Sequence, residues 1–367
     1  MNRDATVLSR RALNRALLAR QHLLARSNAK PIDIIEQLAG MQAQVPRPPF
    51  VGIWTRVQKF EREDLIALYA SKKVVRATAM RGTIHLLAAP DLALIRPQLQ
   101  PILDRLLVGN RPTTRSLDVA SVAAAGADLL DVAPMTLKDL GAALVRRWPD
   151  HPAGTLATTV SFREPLVQVP PRGLWGRSGP PAFTTARAWL GAPLPATSDP
   201  ADLVLRYLAA YGPASVRDVQ SWSGLTGLGP VLADLRPKLV TFRGESGGEL
   251  FDLPDAPRPD PDIPAPPRLL ADFDTILLGH ADRTRIVSDE YRRRVFTING
   301  IIRSTFTVDG FVHGMWRLSR TSGRAAVSFT PFARVPAAAR RALTAEAQRL
   351  LAFAAPGVAD TAVTFDE

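Results

Sequence analysis

The spacing of apolar residues along the chain predicts a mixture of helices and short strands. Residues 6–27 carry apolar side chains at intervals of three and four positions, which predicts one amphipathic helix with arginines on its other face. Pro31 is expected to open a second helix, because the first turn of a helix does not use the N–H that proline lacks. Similar spacing predicts further helices at 50–57, 62–71, 117–130, 136–147, 155–163, 201–211, 215–222, 228–236 and 336–354.

Short alternating segments come after these helices in pairs, which predicts hairpins. The paired strands are expected at 73–79 with 83–88, at 166–169 with 173–176, and at 238–243 with 249–253. Helices followed by a two-stranded hairpin are typical of the winged helix. The fold class predicted is therefore α+β, with three tandem winged-helix modules.

The character of the chain changes after residue 253. Residues 254–267 hold seven prolines in fourteen positions, which predicts a stiff extended linker. Asn299-Gly300 inside 296–302 predicts a two-residue hairpin, and Asp309-Gly310 predicts a second one between Thr305–Val308 and Phe311–Leu318. With 325–330 these strands form a C-terminal β-meander, expected to be a curled sheet or small barrel-like domain.

These patterns predict a division into five parts. They are winged helix 1 with the N-terminal helix at 1–109, winged helix 2 at 110–199, winged helix 3 at 200–253, the proline-rich linker at 254–267 and the C-terminal β-rich domain at 268–367.

The charge balance indicates a polyanionic partner. The 367 residues include 46 Lys and Arg against 34 Asp and Glu, so the net charge is +12. Such an excess is typical of nucleic-acid-binding proteins. Nearly all of the basic residues are arginine, which forks phosphates and guanine edges bidentately. A GC-rich genome is an equally good explanation of the Arg:Lys ratio, but it does not explain the net positive charge.

Composition excludes several classes of protein. The chain has no cysteine, so disulfides, iron–sulfur clusters and thiolate chemistry are ruled out, and its five scattered histidines make a metal site unexpected. No run of 18 uncharged apolar residues predicts a membrane helix, and the arginine-rich N-terminus lacks a signal-peptide core, so a cytoplasmic location is expected. ATPases, dehydrogenases and serine hydrolases are set aside because their glycine-rich or nucleophile motifs are missing.

Gln42 and Gln44 are the most unusual polar pair. Two amides two positions apart project to the same side of an extended backbone, and Pro46, Pro48 and Pro49 stiffen this segment. Such a pair offers donors and acceptors without charge, and can hold a water or contact a base edge. The residues alone favour the plainer interpretation, in which both amides cap a helix or satisfy buried backbone groups.

Other polar positions carry alternative interpretations. Arg47 and Arg81 are candidate phosphate contacts, whereas His85 is expected to be a structural residue of its strand. His280 and Asp282 are either an acid/base pair or, more simply, part of a loop in which Asp282 pairs with an arginine.

A second group of basic candidates surrounds the predicted Asn299-Gly300 hairpin. We expect Arg283, Arg292, Arg293, Arg294 and Arg303 to contact DNA together with Arg47, Arg81 and His280. A basic face in solvent is an equally good explanation for Arg292–Arg294.

Five segments together resemble the winged-helix DNA glycosylases of the AlkZ/YcaQ group. They are LAGMQAQVPRPPFVGIWTRV, RATAMRGTIHLLAAPDL, YGPASVRDVQSWSGL, LLADFDTILLGHADRTRI and NGIIRSTFTVDGFVHGMWRL. They span nearly the whole chain in the family's order, and this is more specific than the glutamine pair alone.

The resemblance implies three tandem winged helices around a concave surface, and hydrolysis of the N-glycosidic bond of N7-alkylated purines, including interstrand crosslinks. The family's catalytic motif is Gln-x-Gln or Gln-x-Asp, and Gln42 and Gln44 match the first form. That branch resembles self-resistance enzymes of organisms that make DNA-alkylating natural products such as azinomycin.

The resemblance makes the expected protein a monofunctional DNA glycosylase, a monomer without metal or organic cofactor that acts on double-stranded DNA with alkylated or crosslinked purines. Two rivals remain: a non-catalytic DNA-binding regulator or lesion-sequestering resistance factor, and a protein–protein scaffold. Release of a free base from alkylated DNA separates the first expectation from both.

Overall fold

A computed structural model describes residues 6–109, 116–321 and 323–366 and has a mixed α+β fold. Residues 1–5, 110–115, 322 and 367, which include the start of the second predicted domain, lie outside the described residues. None of the described helices is long and apolar enough to cross a membrane.

The same order of elements, a helix, a short strand, two helices and two strands, occurs twice in the first half of the chain. The chain begins with β1 (Val7–Leu8) and α1 (Arg10–Arg20). The first repeat is α2 (Pro31–Gln37), β2 (Met41–Gln42), α3 (Pro48–Trp54), α4 (Arg62–Ala70), β3 (Val74–Thr78) and β4 (Ile84–Ala88), followed by α5 (Ala89–Ile95) and α6 (Gln100–Gly109). The second repeat is α7 (Val119–Val132), β5 (Met135–Thr136), α8 (Leu137–Val145), α9 (Ala153–Arg163), β6 (Leu166–Val169) and β7 (Ala182–Thr185), followed by α10 (Ala186–Leu190).

A third repeat comes next, with a single bridge, Ala214↔Phe251, in place of the short strand. It consists of α11 (Pro200–Tyr211), α12 (Val216–Ser223), α13 (Gly229–Leu235), β8 (Val240–Gly244) and β9 (Glu249–Asp252). The C-terminal part contains β10 (Leu269–Leu270), α14 (Asp289–Val295), β11 (Thr305–Val308), β12 (Phe311–Thr321), β13 (Arg324–Pro331), α15 (Ala337–Ala354) and β14 (Asp360–Phe365). Short 3₁₀ turns lie at Met80–Gly82, Pro97–Leu99, Arg236–Lys238 and Thr275–Leu277.

The first two repeats share one sheet. Its strand order is β2-β4-β3-β6-β7-β5, so the two repeats meet where β3 pairs antiparallel with β6. The third repeat forms a small sheet with β1, and the C-terminal strands form an open five-stranded sheet in the order β10-β11-β12-β13-β14. The predicted meander of β11, β12 and β13 is present, but β10 and β14 are its free edges and the described strands do not close into a barrel.

Two of the three apolar cores include the first repeat. One joins it to α1 and the third repeat, and another joins it to the C-terminal sheet and α15. The remaining cluster belongs mainly to the second repeat. The first repeat is therefore the central element around which the other parts pack.

The N-terminal helix is shorter than the predicted 6–27. Ser9 caps its first turn by accepting a hydrogen bond from Ala12, and His22 adopts a left-handed conformation with φ of 53° just beyond its end. Its polar face is not solvated throughout: Arg15 is buried against Asp309 at 2.5 Å, and Arg20 against Asp252 at 2.7 Å. The helix thereby ties the third repeat to the C-terminal sheet.

The proline-rich segment 254–267 contains neither helix nor strand, as predicted. It does not run free between two parts, because α1 binds its backbone. Arg11 donates to the Pro261 carbonyl at 2.8 Å, and Arg15 donates to the Ile263 carbonyl at 2.7 Å.

Two predicted hairpins are wrong in detail. The partner of β6 is β7 at Ala182–Thr185, not 173–176, where Leu174 and Trp175 instead pack against the core that includes the C-terminal sheet. The segment 296–302 closes a turn with one bridge between Phe296 and Ile302, and the preceding arginines lie on α14, not on a strand. At 173–176 side-chain packing outweighs the alternating pattern, whereas at 296–302 the turn forms but the strands beside it are reduced to one bridge.

Candidate functional site

Gln42 and Gln44 lie at the end of the short edge strand of the shared sheet. β2 pairs antiparallel with β4, and the register places Gln42 opposite His85. The strand continues as Ala43 N–H donates to the Ile84 carbonyl at 2.8 Å, and the Ala43 side chain is buried. Gln42 is 8% exposed, whereas Gln44 is exposed. The segment therefore has one amide within the protein and one at its surface.

The backbone between the glutamines is braced by a buried arginine. Arg76 on β3 donates from Nη2 to the Ala43 carbonyl at 2.7 Å and from Nε to Gln168 of the second repeat at 2.8 Å. Its side chain is 1% exposed. The second repeat therefore helps to position the glutamine segment, through a residue that sequence reasoning did not identify.

Both amide oxygens already accept a hydrogen bond. Gln42 Oε1 accepts from Arg81 Nη2 at 3.1 Å, and Gln44 Oε1 accepts from the Ile84 N–H at 3.1 Å. These contacts fix the oxygens, and within the described part of the chain neither amide nitrogen donates a hydrogen bond. The two amides consequently present their N–H groups, and one remaining lone pair per oxygen, to whatever enters the site.

Arg81 is a positioning residue for Gln42. It adopts a left-handed conformation with φ of 57° in the turn between β3 and β4 and also donates to the Trp222 carbonyl of the third repeat. Burial lowers the pKa of Arg81 to about 10, with Tyr211 opposing this effect and Arg283 adding to it. The guanidinium stays charged near neutral pH and places a cation directly beside Gln42.

His85 is buried opposite Gln42. Its Nδ1 lies 3.0 Å from the Thr83 carbonyl, so this nitrogen carries the proton that it donates. Burial, and then the charge of Arg81, lower the pKa of His85 to about 3. A neutral imidazole locked to its own strand fits the structural role expected for it.

A very small void lies next to Gln42. Its volume is about 10 Å³, and it lies between the first repeat and the segment after β10. It is lined by Met41, Gln42, Pro48, Pro49, Gly52 and residues 271–275. Such a volume holds about one water molecule, whereas pockets for small molecules are roughly 300 Å³ or larger. The void is partly open to solvent and has room for a nucleophilic water.

Arg47 lies outside this void, on the surface. It lines a cleft of about 270 Å³ together with Asp272, Ser304, Trp316 and Arg317. Asp272 lines both the cleft and the void, so the two are adjacent. Asp272 and Arg317 were missed by sequence reasoning, because their segments are far from the glutamines along the chain.

Arg283, another predicted DNA-binding residue, is a neighbour of Arg81. Burial and then the charge of Arg292 lower the pKa of Arg283, and the charge of Arg283 contributes to the lowered pKa of Arg81. The guanidinium carbon of Arg283 lies 4.6 Å from the centre of the Phe296 ring, and that of Arg294 lies 4.0 Å from the centre of the Phe332 ring. The turn between these arginines and the exposed Arg303 carries a fully exposed Ile298 and a partly exposed Ile301.

His280 does not fit its predicted role as a DNA contact. It is 1% exposed, and its Nε2 lies 2.9 Å from the Tyr211 carbonyl. Asp282 instead accepts from the Thr284 N–H at 2.9 Å and shapes the loop. The His280–Asp282 acid/base pair is therefore not formed, and His280 packs in the core.

No group of three or more histidine, aspartate or glutamate side chains among the described residues is arranged to hold a metal ion.

The chain belongs to the AlkZ-like DNA glycosylase family, whose model matches residues 35–353. This assignment confirms the family predicted from the sequence, and it makes the protein a DNA glycosylase with DNA as its substrate.

Among its relatives is the interstrand DNA cross-link repair glycosylase of Streptomyces sahachiroi. The two are 28% identical over an alignment of length 333, which covers 82% of this chain and 85% of the relative. Among solved structures, the Streptomyces sahachiroi DNA glycosylase AlkZ matches with a TM-score of 0.77 at 23% identity. The match covers 98% of this chain and all of that one, which shows a shared fold.

Proposed function

We propose that this glycosylase hydrolyses the N-glycosidic bond of N7-alkylated guanine in duplex DNA and unhooks interstrand crosslinks. The observation that carries the proposal is the braced pair Gln42 and Gln44 beside a void of about 10 Å³. The name of the Streptomyces sahachiroi relative supports the crosslink as a substrate.

The chemistry required is modest because N7-alkylation makes the base cationic and a good leaving group. The enzyme must place a water at the sugar carbon and stabilise an oxocarbenium-like sugar. Two neutral amides position the water, and the motif itself contains no carboxylate to activate it strongly. We therefore expect weak activity, or none, on undamaged bases.

The small void favours reaction on a base that stays in or near the helix. Most enzymes of this kind turn the base out into a deep pocket. A base tied covalently to the opposite strand cannot leave the helix without dragging its partner along. A site with an exposed Gln44 and space for only a water suits such a substrate.

We further propose that the three structural repeats are winged helices that line one duplex, with the domain limits predicted from the sequence, and that the protein acts as a monomer. The proposed phosphate contacts are Arg47, Arg81, Arg283, Arg292, Arg293, Arg294 and Arg303, without His280. The turn at Asn299-Gly300 would press its exposed Ile298 into a groove and hold the duplex distorted.

The alternative is a lesion-binding protein without catalysis, with a role in self-resistance. The two functions are separated by incubating excess protein with a duplex that contains N7-methylguanine and measuring free base. The proposal predicts release by the wild type and almost none by the Gln42→Ala/Gln44→Ala double variant, which should bind the duplex as well as the wild type. Tight binding with no free base from the wild type would favour the alternative.

A further inference from the structure

Asp272 is a carboxylate beside the glutamine site, and it forms no ion pair with any of the described residues. It lies in the turn after β10 and lines the water-sized void together with Gln42, and the surface cleft together with Arg47. Asp272 is thus shared between the void and the cleft that carries Arg47 and Arg317. A nucleotide bound to those arginines would bring its sugar close to this carboxylate.

The orientation of Asp272 is fixed through one oxygen only. Its Oδ1 accepts from the Ser304 N–H at 2.7 Å and from Ser304 Oγ at 2.7 Å. Within the described part of the chain Oδ2 accepts no hydrogen bond, and no cation lies within salt-bridge distance of it. One oxygen is therefore held in place while the other is open.

The neighbouring acid has a different task. Asp274 is fully paired with the buried Arg56, with Nη2 to Oδ1 at 2.7 Å and Nη1 to Oδ2 at 3.0 Å. Phe273, between the two acids, adopts a left-handed conformation with φ of 57°, which is a strained state for a bulky residue. Such strain persists only where surrounding contacts enforce it, and it is common at functional sites. Here the Arg56–Asp274 pair holds the turn that presents Asp272.

The glutamines leave a chemical task open that a carboxylate can perform. A water that attacks the sugar must lose a proton, and the amide of glutamine is far too weak a base to take it. Each amide oxygen is also already engaged by Arg81 or Ile84. Enzymes that pass through oxocarbenium-like sugars generally use carboxylates to stabilise the cation and to accept the proton.

We propose that Asp272 is a catalytic residue of this glycosylase, acting from Oδ2 on the sugar and the attacking water. As the bond between the sugar carbon and the guanine nitrogen breaks, its electron pair moves to the cationic base and neutralises it. The water oxygen bonds to the sugar carbon, and its proton passes to Oδ2. The inference rests on the proposed function for the identity of the lesion. The charge that Asp272 contributes to the site does not depend on which lesion is bound.

The test uses the binding of transition-state mimics by the full chain. Dissociation constants are measured for duplexes that carry either a cationic pyrrolidine or a neutral tetrahydrofuran in place of one nucleotide. Mimics of a transition state bind far more tightly than neutral analogues when the enzyme supplies the matching charge. The wild type should prefer the pyrrolidine by about 10-fold or more, and Asp272→Asn should lose this preference.

A matched control variant separates the local charge from the net charge. Asn at position 272 still offers an oxygen to Ser304, so Asp272→Asn removes the charge and keeps this contact. Asp234→Asn removes a charge from a carboxylate that is exposed on the third repeat, and should retain the preference. Loss of preference in Asp234→Asn as well as in Asp272→Asn would show that the position of the charge does not matter, and would overturn the inference.

Base release provides the second readout. Asp272→Asn should release N7-methylguanine about 10²-fold more slowly than the wild type at unchanged affinity for undamaged duplex. Wild-type preference for the pyrrolidine in Asp272→Asn, or no preference in the wild type, would overturn the inference. Absence of base release by the wild type would instead contradict the proposed function, and the binding comparison would still decide the role of Asp272.

Discussion

The first two repeats place different chemistry at the same position of one sheet. In the first, Met41 and Gln42 pair with Leu86 and His85. In the second, Met135 and Thr136 pair with Phe183 and Ala182 in the same register. Thr136 accepts from the Asp139 N–H at 3.1 Å and caps the next helix directly.

The two repeats differ in the segment that connects the short strand to the next helix. In the first repeat five residues, including the surface glutamine and a proline, separate β2 from α3, so the strand end is open to other parts of the protein. Arg81 and the Asp272 segment fill that space around Gln42. In the second repeat the strand leads straight into α8, and its polar side chain is consumed by capping. The longer connection after one edge strand thus leaves room for the candidate site, where the other repeat has only a helix cap.

The largest expected contrast is between Gln42→Ala and Thr136→Ala. Gln42→Ala, like Gln44→Ala, should slow base release by ~10²–10³ at nearly unchanged DNA affinity, because a well-placed polar group is lost. Thr136→Ala should leave the rate intact and lower the free energy of unfolding by about 1 kcal/mol, because a helix cap is lost. Single-turnover release and denaturant unfolding of the three variants measure both effects. Wild-type rates in the glutamine variants would mean that the site is wrongly assigned.

Gln168→Leu should show that the second repeat supports the first. The change removes the oxygen that accepts from Arg76 Nε, which leaves a buried charged donor unpaired. We expect a loss of about 1–3 kcal/mol in the free energy of unfolding and slower base release, because Arg76 also holds the Ala43 carbonyl. Thermal and denaturant unfolding with a release assay would detect these changes. A loss of stability without slower base release would contradict the idea that the second repeat supports the glutamine segment of the first.

His85 should make the stability of the protein depend on pH, whereas Ala182 at the matching position cannot titrate. The pKa of His85 in the fold is about 3, below its ordinary value in the unfolded chain, so acid favours unfolding. The stability contributed by the neutral imidazole is fully present above pH ~6.5 and is lost as the pH falls towards 3. His85→Asn should therefore reduce the slope of unfolding free energy against pH in this window, measured by urea titration. Parallel curves for variant and wild type would contradict the assignment.

The smallest expected effect is on the salt dependence of DNA binding. The logarithm of the association constant for undamaged duplex should fall linearly with the logarithm of the salt concentration. The slope should be about −0.9 for each phosphate neutralised, with roughly 4–8 such contacts. Arg293→Ala, at an exposed arginine of α14, should reduce this slope by about one contact, whereas Arg324→Ala, at the start of β13, should not. Fluorescence anisotropy at several salt concentrations measures both. A flat response in the wild type, or a sharp preference for one palindrome, would favour a scaffold or a regulator.

Much of the local structure can be predicted from sequence spacing, because amphipathic helices and alternating strands bury one face. The strands at Val74–Thr78 and Ile84–Ala88 are predicted in this way. The spacing over 6–27 predicts a first helix that is too long, with arginines on a face that would ordinarily be in solvent. Arg15 and Arg20 are instead paired with acids far along the chain, which no periodicity reveals.

The candidate site could be predicted only in part. Gln42 and Gln44 are predicted from the motif, but their surroundings come from distant segments. Arg76 was hidden in an apolar strand, where a buried charge is itself a signal of a fixed contact. Asp272 lay within a segment that carried the family resemblance, yet its difference from the paired Asp274 appears only in three dimensions.

The most direct test of an open site is the range of lesions that it accepts. Single-turnover release is compared for three duplexes, with N7-methylguanine, a bulky N7-guanine adduct and an N7–N7 crosslink. A site that acts on a base left in the helix predicts that all three are processed, and that Gln42→Ala slows all three alike. Release from the methyl lesion alone, together with a purine-sized pocket enclosing Gln42 and Gln44 in a DNA complex, would contradict it.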